Sequence, residues 1–245
     1  MHQIMQLLLQ MKDISWLIEI SRRNNVNLSQ KQISLFEELR RRILSWNDKV
    51  NLISRKEEGS FFENHVLNSI SFLFHKSLKY STRVVDLGTG GGLPGIPVKI
   101  LRPDLELVLI DSVKKKTEAV GDIVRGMGLT GLAVVNGRAE EISRKPEFMH
   151  AFDYVITRAA GKLYDVAKWS RYFLKNKEEE CLENSYPVGT LLVLKGGEFA
   201  DEVNRTRQLK FVQYVEVEDI RFAGEEEVRN RDKKIVLVSF KKHNK

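Results

Sequence analysis

Arg83-Val84-Val85-Asp86-Leu87-Gly88-Thr89-Gly90-Gly91-Gly92-Leu93-Pro94-Gly95-Ile96-Pro97 is the stretch on which the fold turns. An apolar strand, Arg83–Leu87, ends on an acidic residue, passes into a glycine turn and meets the prolines that open a helix over Pro94–Leu101. Glycine accepts positive φ and lets a ligand approach the backbone without meeting a Cβ. A strand, a glycine turn and a helix in that order form a nucleotide-type cofactor site at the carboxyl end of a strand.

Downstream, the chain alternates strand and helix. Leu105–Ile110 is almost continuously apolar, as a buried parallel strand should be, and Ser112–Met127 reads as a helix closed by Gly128. Further strands are expected at Leu132–Val135, Asp153–Thr157 and Leu191–Leu194. Helices are expected from the fourth strand to about Leu174 and at Phe199–Gln208, and Phe211–Val217 with Lys234–Phe240 closes the sheet as a hairpin-like pair. This rhythm is that of a doubly wound α/β sheet. Upstream, residues 3–22, a run capped by Ser29 that contains Ile33, Phe36, Leu39, Ile43 and Trp46, and Phe61–Leu78 follow helical periods. The expected organisation is a helical extension over residues 1–80 and a cofactor-binding domain over 81–245, packed as one unit. The polar, acidic stretch 175–189 reads as an exposed loop.

The spacing narrows the cofactor. Asp111 ends the second strand 25 residues after Asp86 (111 − 86), beside it in such a sheet and placed to accept hydrogen bonds from both ribose hydroxyls. A dinucleotide site wants Gly-x-Gly-x-x-Gly and free N–H groups at the helix start. Here Leu93 stands at the third glycine, and Pro94 and Pro97 remove two donors. Asp-x-Gly-x-Gly-x-Gly with a later acid suits S-adenosylmethionine better, since that cofactor carries no phosphate. After the third strand, backbone groups of Ala139 and Glu140 are placed to read an adenine edge. Arg158 ends the fourth strand, where a methyl acceptor belongs; it is either part of the site or a surface ion-pair partner.

Composition bounds the rest. A net charge of +7 favours a polyanionic partner. The single cysteine, Cys181, excludes an internal disulfide and suits a reducing compartment. No apolar run is long enough for a membrane span, and the first eleven residues lack a basic leader, so a cytoplasmic protein is expected, with a monomer favoured and no metal site indicated.

The motifs together resemble one family. Trp46-Asn47 through Asn51-Leu52, His65-Val66-Leu67-Asn68-Ser69, the Asp86–Pro97 stretch, Asp111-Ser112 with Lys115-Lys116, Gly137-Arg138-Ala139-Glu140, Arg158-Ala159 and Leu194-Lys195-Gly196 occur in order. This set is similar to that of the bacterial 16S ribosomal RNA guanine-N7 methyltransferases, the glucose-inhibited division protein B family. One departure is Asn68, where that family usually has Asp. The resemblance implies a Rossmann-like class I S-adenosylmethionine-dependent methyltransferase sheet with an N-terminal helical extension. It implies methyl transfer to N7 of a guanine in the decoding-region loop of 16S rRNA, free or in the small ribosomal subunit. The expected cofactor residues are Asp86, Gly88, Gly90, Leu93, Asp111, Ala139, Glu140 and Arg158. His65 and Lys195 are substrate-side candidates, and Lys114, Lys115 and Lys116 are expected to contact RNA, with Arg22, Arg23 and Arg40–Arg42 as further cations. The alternatives are an inactive RNA-binding assembly factor on the same fold, a methyltransferase acting on another RNA base, or a dinucleotide-dependent oxidoreductase.

Overall fold

A computed structural model describes residues 12–158, 160–175, 183–229 and 232–241. Helix α1, Ile14–Arg23, starts at Asp13, whose carboxylate accepts the N–H groups of Ser15 and Trp16. The earlier part of the helix expected over residues 3–22 lies outside the described residues. Helix α2, Gln30–Asn47, starts at the expected Ser29 in a reciprocal capping box with Gln32. Gln32 also donates to the carbonyls of Ile100 and Leu101, so one side chain closes the start of one helix and the end of another.

The single helix expected over Phe61–Leu78 is broken. A 3-10 turn, Arg55–Ser60, leads into a π-helical turn, Phe62–Leu67, followed by α3, Asn68–Ile70, and α4, Phe72–His75. The wider π turn leaves the Asn64 carbonyl to accept from the Asn68 amide and from Arg158, far along the chain.

The sheet has seven strands in the order β3-β2-β1-β4-β5-β7-β6. They are β1 Arg83–Leu87, β2 Glu106–Asp111, β3 Leu132–Asn136, β4 Tyr154–Arg158, β5 Thr190–Lys195, β6 Val212–Asp219 and β7 Lys234–Phe240. Strands β1 to β5 are parallel. The closing pair is antiparallel as expected, and its second strand lies between β5 and β6, with Leu192 opposite Leu237. The connecting helices are α5 Gly95–Leu101, α6 Lys114–Gly126, α7 Ala139–Ile142, α8 Leu163–Phe173 and α9 Ala200–Arg207.

Alternate residues of the buried strands feed two apolar layers. On one face Val84, Leu107, Leu109, Ile156 and Leu237 pack with Ile96, Val120 and Ile123, and with Leu17, Phe36, Leu39 and Ile43 of the N-terminal helices. The other face joins Val85, Leu87, Ile110, Val155 and Val193 to Leu163, Val166, Phe173 and Val203. The N-terminal helices therefore share a core with α5 and α6.

The 175–189 stretch departs from the exposed loop expected. Residues 176–182 lie outside the described residues, but Tyr186 is buried. Its hydroxyl donates to the Phe72 carbonyl at 3.0 Å and its N–H to the Ser77 carbonyl at 2.9 Å, while its own carbonyl accepts from the Tyr154 hydroxyl at 2.9 Å. The end of this stretch thus pins the helical segment to the sheet.

Candidate active site

The glycine turn is held from three sides. The N–H groups of Gly88 and Thr89 both donate to the Ile110 carbonyl, at 2.8 and 3.0 Å, tying the turn to β2. Gly88 has φ +69°, and a Cβ there would lie 2.5 Å from the Cβ of Ala160, so the turn also packs on the segment after β4. From beneath, Asp86 Oδ2 accepts from the Thr89 hydroxyl at 2.7 Å and from Gly95 N–H at 2.9 Å. Gly95 permits this contact, because a Cβ would meet both Asp86 and Leu109.

Asp86 is fully buried and lies under the turn, not in the wall of the cavity above it. Burial pushes its carboxyl up to about 7, against the opposing pull of its two hydrogen bonds and of Arg158. Its role in this geometry is to fix the turn and cap α5. In the first turn of that helix, Gly95 N–H goes to Asp86, Ile96 N–H to the Gly92 carbonyl and Val98 N–H to the Pro94 carbonyl, while Pro97 has none. No donor is left for a pyrophosphate, which removes the basis for a dinucleotide site.

Above the turn lies a cavity of about 520 Å³. Gly88, Gly90, Leu93, Asp111, Ala139, Glu140 and Arg158, seven of the eight expected cofactor residues, line it together. Leu52, Val113 and Trp169 line it too, three residues that the sequence motifs do not mark as cofactor contacts. Leu52 is brought there by Asn47, a buried amide whose oxygen accepts from Leu52 and Ile53 N–H while its nitrogen donates to Glu58. Asp111 holds the far rim: its oxygens accept from Gly90 N–H at 2.9 Å and Val113 N–H at 2.8 Å. The cavity therefore combines a glycine backbone, apolar walls and an acceptor-only carboxylate at the end of β2. That set fits the sulfonium, ribose and purine of S-adenosylmethionine.

Arg158 is half-buried and stands between this cavity and a second one of about 240 Å³. Burial lowers its pKa, and the nearby Asp86 and Glu57 carboxylates oppose that. Its Nη1 donates to the Asn64 carbonyl at 3.2 Å, and Nη2 lies 3.5 Å from His65 Nδ1. Arg158 therefore faces the two cavities and the Asn64 carbonyl, and among the described residues it forms no surface ion pair. The second cavity is lined by His65 and Lys195, the two substrate-side candidates, and by Glu57, Asn68, Gly196 and Lys233. Lys195 is anchored by Glu202 at 2.7 Å, a carboxylate that also accepts from Leu163 N–H. Asn68 donates to the Asn64 carbonyl, which an Asp at this position could not do when ionised.

The expected basic residues separate. Lys114 and Lys115 are exposed, whereas Lys116 is half-buried and lines both the cofactor cavity and an adjoining groove of about 750 Å³. Lys49, Arg55 and Lys56 line that groove as well, a cluster that sequence reasoning missed. Arg22 and Arg41 are paired to Glu19 and Glu38, Arg23 to Glu226 and Glu227, and Arg42 to Glu38 and the Gly126 carbonyl. These four cations hold the helices rather than offering free charge.

A 3-2-1-4-5-7-6 sheet with β7 antiparallel, a glycine turn after β1 and an acid after β2 defines a class I S-adenosylmethionine-dependent methyltransferase. The fold is shared with a SAM-dependent methyltransferase from Aquifex aeolicus (TM-score 0.52, 13% identity, 82% of this chain and 97% of the other). It is also shared with a predicted O-methyltransferase from Agrobacterium tumefaciens (TM-score 0.52, 13% identity, 72% of this chain and 80% of the other). Residues 32–234 match the family described as rRNA small subunit methyltransferase G, and the chain belongs to that family. Relatives named ribosomal RNA small subunit methyltransferase G include one from Clostridium novyi, 32% identical over 89% of this chain and 85% of the relative. Another, from Phocaeicola vulgatus, is 38% identical over 72% of this chain and 79% of the relative. The protein is thus a methyltransferase, and its cofactor is S-adenosylmethionine. Among the described residues no helix is long and apolar enough to cross a membrane.

Proposed function

We propose that this protein transfers a methyl group to N7 of a guanine in the decoding-region loop of small-subunit ribosomal RNA. The observation that carries the reading is the placement of Arg158 as the common wall of the cofactor cavity and a second, polar cavity. A methyl donor in the first is then within reach of a base in the second. The names of the relatives support ribosomal RNA of the small subunit as the acceptor.

S-adenosylmethionine supplies an electrophilic methyl group on a sulfonium. Guanine N7 carries an exposed lone pair and no proton, so the acceptor needs no general base. The task of the chain is to place the two reactants, and positioning of this kind supplies much of the acceleration in such reactions. Asp111 and the Gly88–Gly90 backbone hold the cofactor side, with Asp86 fixing the turn from below. Arg158, anchored on the Asn64 carbonyl, keeps its charge between the two cavities without serving as an acid. His65 is neutral, because burial and the neighbouring Arg158 hold its pKa down to about 4. N7 lies in the deep, narrow major groove of A-form RNA, so the base must come from an unpaired loop or be turned out. Lys116, with Lys49, Arg55 and Lys56, is placed to take the phosphates that flank it.

The test is transfer of labelled methyl from S-adenosylmethionine to small subunits and to deproteinised rRNA. Incorporation that acid depurination releases as 7-methylguanine is expected. Label released only on another base, or no incorporation on either substrate, overturns the reading.

A further inference from the structure

The second cavity holds polar groups that its anchored Arg158, Lys195 and Asn68 leave unmatched. His65 is 4% exposed, and its Nε2 is buried with no hydrogen-bond partner. Its Nδ1 faces the Arg158 guanidinium at 3.5 Å, which assigns the proton of the neutral ring to Nε2. Glu57 Oε2 lies 3.6 Å from that nitrogen, beyond a hydrogen bond, and Glu57 is the one carboxylate in the cavity wall among the described residues. Lys233 is half-buried in the same wall and has no ion-pair partner among the described residues. Burial and Arg158 lower its pKa, while Glu57 opposes them, so the Lys233 ammonium and the Glu57 carboxylate face each other's field. A buried polar atom left without a partner, as His65 Nε2 is, calls for an explanation, and a polar ligand in the cavity supplies one.

We propose that this cavity is a guanine-reading pocket, in which Glu57 accepts from N1–H and the 2-amino group of the base and Lys233 donates to O6. The inference rests on the guanine-N7 reading given above and adds the residues that select the base. On guanine, the O6 acceptor sits between N7 and the N1–H donor. With Lys233 on O6 and Glu57 on N1–H, the edge of the base left over carries N7, and Arg158 is the wall that this cavity shares with the cofactor cavity. Adenine reverses the pattern. Its 6-amino group would meet Lys233 and its bare N1 would meet the Glu57 carboxylate, leaving both protein groups unpaired. Sites that hydrogen-bond their substrate reject an analogue lacking the matching group far more strongly than apolar pockets do. Neither Glu57 nor Lys233 belongs to a motif; β7 and the 3-10 turn bring them together from opposite ends of the chain.

The experiment compares single-turnover methylation of small subunits carrying guanosine or inosine at the acceptor position. Inosine keeps N7, O6 and N1–H and lacks only the 2-amino group. The wild type is expected to prefer guanosine by about tenfold or more, the worth of one hydrogen bond to a charged group. Glu57→Ala should bring the guanosine rate down toward that of inosine, so the ratio falls toward one. Glu57→Gln, which offers one acceptor atom in the same shape, should give an intermediate ratio. Lys233→Met should slow both substrates alike and keep the ratio. Calorimetric titration with S-adenosylmethionine checks that each variant keeps its cofactor cavity. The proposal is overturned if Glu57→Ala and Glu57→Gln keep the wild-type ratio, or if Lys233→Met leaves both rates unchanged. A wild type inactive on both substrates removes the guanine-N7 reading itself, whereas an active wild type with an unmoved ratio removes only the base-reading assignment.

Discussion

Gly88→Ala tests whether the turn after β1 is the cofactor cradle. Two costs follow from the structure. At φ +69° the new side chain enters the left-handed region, which costs about 1–2 kcal/mol for a non-glycine residue. Its Cβ would also lie 2.5 Å from the Cβ of Ala160 and 3.2 Å from the Ala160 Cα, a backbone atom that has little room to move. Overpacking of that kind costs about 1–3 kcal/mol, so the expected loss of stability is about 2–5 kcal/mol in total. Gly128 supplies the control. It has φ +62° at the end of α6 with nothing within 4 Å of the position a Cβ would take, so Gly128→Ala carries the strain without the clash. Urea unfolding should show Gly88→Ala to be less stable than Gly128→Ala by about 1–3 kcal/mol. Calorimetric titration should show S-adenosylmethionine binding at least about tenfold weaker in Gly88→Ala, equivalent to about 1.4 kcal/mol, and unchanged in Gly128→Ala. Wild-type affinity in Gly88→Ala would refute the placement of the cofactor on this turn, and equal destabilisation of the two variants would refute the close packing of Gly88 on Ala160.

Two further outcomes follow from groups beside the cavities. The folded-state pKa of His65 is lowered from 6.5 to about 4, so the unfolded chain takes up the proton first and stability is lost as pH falls through that window. At pH 5 the cost from His65 is about 2 kcal/mol, on 1.36 kcal/mol per unit; Asp86, raised toward 7, acts in the opposite sense, so the two partly cancel in the wild type. The difference between wild type and His65→Gln isolates His65: their stability gap should shift by about 2 kcal/mol in favour of the variant between pH 7 and pH 5, and a gap independent of pH would contradict the assignment. Replacing Lys49, Arg55, Lys56 and Lys116 together by Ala should reduce the slope of log affinity for the RNA substrate against log salt by about 3, on roughly 0.7–0.9 per phosphate, and an unaltered slope would remove the groove from the RNA path.

What could be read from the sequence divides by how local its cause is. Strands β1, β2, β4 and β5 declared themselves because parallel strands covered on both faces are apolar throughout, and Ser29 declared α2 through its capping box. The glycine turn was legible because positive φ and close approach both demand glycine. Three features had no local cause. The π turn at Phe62–Leu67 interrupts a good helical pattern and turns the Asn64 carbonyl to Arg158, a partner far along the chain. Tyr186 sits in a stretch whose polar composition suggested solvent, yet three hydrogen bonds to Phe72, Ser77 and Tyr154 hold it in the core. The insertion of β7 between β5 and β6 brings Lys233 to the end of β5, which no spacing along the chain could reveal. Asp86 shows a different kind of gap: the motif suggests a cofactor contact, whereas the geometry places its carboxylate under the turn, bonded to Thr89 and Gly95. The same is true of the cations on α1 and α2, whose charges are counted in the sequence but spent on neighbouring glutamates in the fold.

The proposed reaction of this chain is methylation of N7 of a guanine in small-subunit rRNA. N7 methylation makes the glycosidic bond labile and allows strand cleavage at the modified nucleotide by reduction and aniline treatment. The direct measurement is therefore a cleavage map of small-subunit rRNA from cells with and without the gene, and from the deletion strain after treatment with purified protein and S-adenosylmethionine. One cleavage site in the decoding-region loop is expected to disappear on deletion and return on treatment. A cleavage pattern that is the same in all three samples would contradict the proposed reaction.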